Sequence, residues 1–252
     1  MRITDEVPTS WKDLQDKVCK YLNQAGYRAE SPKTIAHVRG TVEVDVFVTA
    51  KDELLKQFIC ECKYWETPVP KEKINAFRTV VQDSGSMLGI FISKNGYQKG
   101  AKEAAYCTNV LLKDWDGFIE LIAEQWLKHR FKHVLRIAYP LGVYTDPLDV
   151  PEQIFAKEET AFRYNELQTK YLPAYVSAKS LEFGSVQPAP SLTVDDLTFE
   201  DFNSYFEYLE IVFRKGITEF EDLFRECPVE EWKLDMSNSR TLEPCILDYL
   251  SE

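Results

Sequence analysis

The chain has 252 residues, is 44% apolar and carries a formal net charge of −11. That apolar share supports a packed core, in one large domain or two modest ones, and excludes a disordered chain. No run of about 18 apolar residues is present, which excludes a membrane-spanning helix. The opening Met1-Arg2-Ile3-Thr4-Asp5-Glu6 lacks the apolar core of a signal peptide, and six cysteines fit a reducing compartment, so a cytoplasmic location is expected.

Taken in chain order, a first helix ends in Ala25-Gly26-Tyr27, and two short strands come next, Val42-Glu43-Val44-Asp45-Val46 and Phe58-Ile59-Cys60-Glu61-Cys62-Lys63. In a strand, residues i and i+2 share a face. Glu43 and Asp45 therefore point one way, with Val42, Val44 and Val46 on the other side. Glu61 and Lys63 likewise share a face, while Cys60 and Cys62 point toward helices as small hydrophobes. If the strands pair, Asp45, Glu61 and Lys63 converge. Two carboxylates suit Mg²⁺, which takes oxygen ligands and keeps several waters, and an ammonium beside them can orient a water or steady charge on a phosphate. Glu43 is a further candidate ligand. Alternating charge in one strand alone usually marks a solvated face of a sheet; the two strands together, and the helices and strands after them, favour the site.

Val69-Pro70-Lys71 opens a helix with Ile74, Phe77, Val80 and Val81 at helical spacing, ending before Gly85. Met87 to Ile92 reads as a strand buried on both faces. After an Asn95-Gly96 turn, Gln98 to Tyr106 is an Ala-rich helix, Asn109 to Leu112 a strand, and Trp115 to Trp126 a closing helix with Phe118, Ile119, Leu121, Ile122 and Ala123 inward. Strands alternating with helices predict an α/β sheet flanked by helices.

From about Trp11 to Trp126 the chain resembles the Mrr-type branch of the PD-(D/E)xK restriction-endonuclease superfamily. The resemblance rests on Ala25-Gly26-Tyr27, Val44-Asp45-Val46, Glu61-Cys62-Lys63-Tyr64-Trp65, and Leu88 to Ser93 followed by Asn95-Gly96-Tyr97. It implies a restriction-endonuclease-like core with a central mixed sheet, and Mg²⁺-dependent hydrolysis of DNA (Mn²⁺ as substitute). Asp45 and Glu61 would be metal ligands and Lys63 the catalytic lysine, in a restriction or antiphage setting. Members often carry an acidic residue in the first helix; Gln15 stands there, next to Asp16. Gln82 matches a glutamine that some members bring from the helix after the Glu-x-Lys strand.

The two halves differ in charge. Residues 1–125 hold 17 Lys and Arg against 18 Asp and Glu, residues 126–252 hold 13 against 23, so phosphate contact falls to the first half. Lys71, Lys73, Lys94 and Lys99 are the candidates, with Lys63, Arg78 and Lys102 in the same stretch. His129 and His133 stand four apart among basic neighbours, which reads as a basic helix end rather than a metal site.

Beyond the first domain, taken as residues 1–128, residues 129–252 read as an acidic, mainly helical accessory domain. Val134 to Tyr139 and Gly142 to Tyr144 look strand-like. A helix starts after Val150-Pro151, with Phe155, Phe162 and Leu167 along its buried side, and Ser177 to Ser191 reads as a linker. Two more helices complete the chain, with capping-box-like Thr198/Asp201 and Thr218/Glu221 at their starts and Gly216 ending the first. That first one carries Phe199, Phe202, Tyr205, Phe206, Leu209 and Phe213. This half is expected to regulate, assemble or select substrate, through a homo-oligomer or a protein partner. Two other readings stay open: a catalytically silent scaffold of the nuclease fold, and a nuclease selective for branched DNA.

Overall fold

The computed structural model describes residues 3–51, 55–183 and 193–226. They divide into two compact units, one within residues 5–130 and the other formed by residues 3–4 with described residues from 131 to 226.

The first unit opens with α1 (Trp11–Gln24), whose N-cap Ser10 accepts from the Asp13 N–H and whose Leu14, Gln15, Val18, Tyr21 and Leu22 are buried. Gly26 at φ +87° ends it. The Gly26 N–H bonds Asn23 O and the Tyr27 N–H bonds Leu22 O, so two of the helix's last carbonyls are satisfied. A five-stranded mixed sheet comes next, in the order β1-β4-β5-β6-β7. Its strands are β1 (Arg28–Glu30), β4 (Val46–Thr49), β5 (Gln57–Lys63), β6 (Leu88–Ser93) and β7 (Val110–Lys113). β1, β4 and β5 pair antiparallel, while β5, β6 and β7 run parallel. The parallel pairs are joined through α2 (Lys71–Asp83) and α3 (Lys99–Ala105), as parallel crossovers require. β6 is buried from Gly89 to Ser93, matching its uninterrupted apolar run.

Apolar side chains cover both faces of this sheet. Ile59 and Phe91 pack with Ile74, Phe77 and Val81 of α2, and Phe77 meets Phe91 edge to face at 5.4 Å. Each such aromatic contributes roughly 1.5–3 kcal/mol by leaving water. Cys60 and Cys62 are fully buried, and burial pushes both thiols up.

One strand expectation needs correction. Val42 to Val46 is not a single strand: the chain bends at Asp45. Before the bend, β3 (Gly40–Val44) pairs with β2 (Lys33–His37) in a separate two-stranded sheet; after it, β4 joins the main sheet.

α4 (Trp115–Tyr144) is a single 30-residue helix, so the strands expected at Val134 to Tyr144 are absent. Phe131, Val134, Leu135, Ala138 and Leu141 are buried at helical spacing, and that stripe outweighs the strand preference of Val134, Ile137, Tyr139 and Val143. Pro140 sits inside the helix. Leu121, expected inward, is 42% exposed.

The second unit continues with a 3₁₀ turn (Glu152–Ala156), α5 (Glu158–Phe183), β8 (Thr193–Val194), β9 (Leu197–Thr198) and α6 (Phe202–Glu226). α5 buries Tyr164, Tyr171, Ala174 and Ala178, whereas Phe155 and Phe162 are exposed, so its inward face is not the one expected. The predicted linker is helical as far as Phe183; its remainder lies outside the described residues. The two predicted final helices are one. Gly216 does not stop α6, because it lies where a Cβ would come within 2.9 Å of the Tyr171 ring. At the start of α6, Asp201 itself caps, accepting the Ser204 N–H at 2.7 Å.

Candidate active site

The bend at Asp45 creates the site. β4 pairs with β5 as far as Val46 opposite Cys60, and there the ladder stops. Asp45 Oδ2 then accepts the Cys62 N–H at 2.7 Å, so a side chain takes the backbone donor at this point. Its other oxygen accepts from Gln15 Nε2 at 3.1 Å. Gln15 is 1% exposed: its amide is fixed within the core side of α1, aimed at the carboxylate. The Trp11 indole, one turn earlier on α1, donates to Cys62 O at 3.1 Å.

Glu61 and Lys63 project from the end of β5. The Lys63 ammonium makes an ion pair with Glu61 and lies 3.7 Å from Asp45 Oδ2. Burial pushes the Glu61 carboxyl up, and the charge of Asp45 adds to it; Lys63 and, more weakly, Lys73 oppose this. For Lys63, burial works downward but the two carboxylates outweigh it, so its pKa is raised and the ammonium stays charged.

Of the residues singled out from sequence, Asp45, Glu61, Lys63 and Gln15 are therefore brought together. Glu43 is not: it is exposed on β3, opposite Thr34 in the small sheet. Among the described residues, no group of three or more His, Cys, Asp or Glu is placed to hold a metal. Gln82 is also apart. It is exposed in the last turn of α2, the end of the helix where Ser84 O accepts from Gln57 at the start of β5, whereas Glu61 and Lys63 stand at the other end of that strand. His133 lies 3.7 Å from Glu210.

The lysines differ among themselves. Lys73 Nζ is 5.9 Å from the Trp65 ring centroid, and Lys94 Nζ is 4.4 Å from that of Tyr64. Lys94 also pairs with Glu66 at 2.5 Å. Lys71 is exposed at the start of α2, and Lys99 lies 4.0 Å from Glu103 in open solvent. Arg78 is committed to the fold, donating to Ala104 O at 3.0 Å. Sequence reasoning missed Trp11, and a lone exposed tryptophan at a helix start gives no signal of its bond to β5.

The donor set fits a hard divalent cation: two carboxylates and a lysine at one end of a sheet, each side chain partly open to solvent. A mixed sheet between helices, with an acid–acid–lysine cluster at the mouth of its central strand, defines a nuclease-type α/β domain. Residues 8–122 match the Mrr catalytic-domain family, described as a restriction endonuclease. Among solved structures, the chain is similar to a crystal structure of a protein of unknown function. The identity is 12% and the TM-score 0.39, over 84% of this chain and all of the other, a likeness too slight to carry an argument. No curated protein matches the chain. Among the described residues, no helix is long and apolar enough to cross a membrane.

Proposed function

We propose that the first unit is a divalent-metal-dependent DNA endonuclease, with Asp45 and Glu61 holding Mg²⁺ or Mn²⁺ and Lys63 as the catalytic lysine. The observation that carries this is the convergence of those three side chains beside Gln15, inside the segment that matches the Mrr family. When bound, the metal supplies Lewis-acid polarisation of the phosphate and a more acidic water. The chain's own residues do the rest. Gln15 and the Cys62 N–H fix the Asp45 carboxylate, so no reorganisation is needed at the moment of reaction. Lys63 stays protonated, which suits it to hold the attacking water and to offset charge on the phosphate, and its pairing with Glu61 keeps it at the patch. Lys71, Lys73, Lys94 and Lys99 supply phosphate contacts around the site. Gln82 has no role in this reading. A restriction or antiphage role, action in the cytoplasm, a homo-oligomer to cut both strands, and regulation by the acidic second unit belong to the same proposal.

The test is cleavage of supercoiled plasmid with Mg²⁺ or Mn²⁺, against EDTA. Asp45→Asn, Glu61→Gln and Lys63→Ala are each expected to lose at least about a hundredfold in rate while keeping the wild-type circular dichroism. Equal cleavage by all three variants would refute the assignment. No cleavage by the wild type, with no metal effect on its Tm, would favour a silent scaffold of the nuclease fold.

A further inference from the structure

We infer that a small cleft beside Lys63 seats one unpaired nucleobase of the DNA, an inference that rests on the nuclease reading above. The cleft has a volume of ≈ 130 Å³ and is walled by Pro8, Leu14, Tyr64, Ile92 and Trp115, with Lys94 at its edge. Its position is set by register: Lys63 and Ser93 are direct partners across β5 and β6. The residue just after each strand, Tyr64 and Lys94, therefore carries the cleft forward from the charged patch.

Size and chemistry both point to a planar ring. A dry apolar cavity of about 150 Å³ accepts benzene, so this one takes a pyrimidine ring and leaves no room for a stacked pair. The polar atoms of its walls are already engaged. Tyr64 Oη donates to Pro8 O at 3.1 Å, Ser93 Oγ to Gly96 O at 3.1 Å, and Trp115 Nε1 to Glu6 O at 2.8 Å. These groups offer stacking surface without reading base edges, as sequence-tolerant single-strand sites do.

Lys94 supplies the charge that distinguishes a nucleotide from an apolar side chain. Its ammonium lies 4.4 Å from the Tyr64 ring centroid and is paired with Glu66, whose side chain is 78% exposed. An ion pair that open to water is weak, and a backbone phosphate can take the place of Glu66. A seated base thus puts one phosphate at Lys94 and its neighbour toward Lys63. Bases in a continuous duplex stay stacked and enter only by flipping, at a cost of unpairing. The substrate class implied is DNA with an unpaired nucleotide at the cut.

Fluorescence anisotropy on the full chain in EDTA tests this with three labelled probes of equal length. They are a continuous duplex, the same duplex with one bulged thymidine, and that duplex with the bulged position abasic. The bulged thymidine is expected to bind about tenfold tighter than the continuous duplex, with the abasic probe falling back to within about twofold of it. Tyr64→Ala should lose the gain, and Tyr64→Phe should keep it because the ring and not the hydroxyl does the stacking. Equal binding of the three probes, a gain that persists with the abasic site, a gain that survives Tyr64→Ala, or no binding of any probe overturns the inference. Plasmid cleavage with Mg²⁺ is read separately, so a failed seat beside intact metal-dependent cleavage sinks only the seat.

Discussion

Gln15→Glu is the most searching perturbation of the site. The glutamine is 1% exposed, and its Nε2 donates to Asp45 Oδ1 at 3.1 Å. Glutamate has nearly the same shape, so packing is preserved and only charge and donor change. An ionised carboxylate there loses a hydrogen bond to a charged group, about 1.5–3 kcal/mol. It also faces Asp45 at close range, where two unit charges repel by about 5 kcal/mol at an effective dielectric of 20. The protein has a cheaper option: it can keep the introduced carboxyl protonated, and that carboxyl still donates to Asp45. With an unfolded pKa near 4.3, holding the proton at pH 7 costs roughly 2.7 units, or about 3.7 kcal/mol. This lower figure wins. The folded-state pKa is raised, so the variant matches the wild type near pH 4 and loses stability as pH rises. In EDTA at pH 7 its Tm should lie roughly 10 °C below wild type. Saturating Mn²⁺ should recover more Tm in the variant than in the wild type, since a cation offsets the paired charges. Differential scanning calorimetry at pH 4.5 and 7 decides it. An unchanged Tm at pH 7, or the same loss at both pH values, would show that the amide is not aimed at Asp45.

Three other outcomes are expected. Gly89→Ala places a Cβ 2.5 Å from Val81 Cγ2 and 2.7 Å from Phe77, so it should destabilise the chain by about 1–3 kcal/mol in urea unfolding. Cys60 and Cys62 are buried with raised pKa, whereas Cys107 is exposed. A thiol reagent at pH 8 should label Cys107 in the native protein and reach Cys60 and Cys62 only after denaturation, as peptide mass spectrometry will show. Tyr144 is pushed up to about 12 by burial and by Glu221, to which its hydroxyl donates at 3.3 Å. Its contribution to stability is present below pH 10 and is lost as pH rises through 12, so Tyr144→Phe should flatten that part of the alkaline unfolding curve.

The sheet and the charged cluster are legible in the sequence for one reason. On β5 the alternation of Cys60 and Cys62 with Glu61 and Lys63 has a period of two, and the long apolar β6 has no polar break, so strand identity and facing are direct consequences. The bend at Asp45 is not legible, because Val42, Val44 and Val46 continue the strand pattern straight through it. That continuity groups Glu43 with Asp45, and the bend separates them. In the second unit, local preference misleads: Val134 to Tyr144 is rich in residues that favour strands, and Gly216 followed by Thr218 imitates a stop and a start. Both features are set by packing, by an apolar stripe on α4 and by the Tyr171 ring against Gly216. The aromatic face at the start of α6 is legible because Tyr205, Phe206, Leu209 and Phe213 keep helical spacing, and all four are buried.

The hand-over of the chain from one sheet to another at Asp45 leaves that residue without a strand of its own. Its carboxylate is moored to a neighbouring strand through the Cys62 N–H and to α1 through Gln15, while Glu61 and Lys63 ride on β5 itself. Two of the three clustered side chains thus share a rigid platform, and the third depends on how α1 lies against it. A roll of α1 would unseat one carboxylate and leave the sheet untouched. Mutations on the buried stripe of that helix, such as Val18→Ala, should therefore weaken metal binding out of proportion to their cost in stability, a form of fragility that a contact map of the site alone would not reveal.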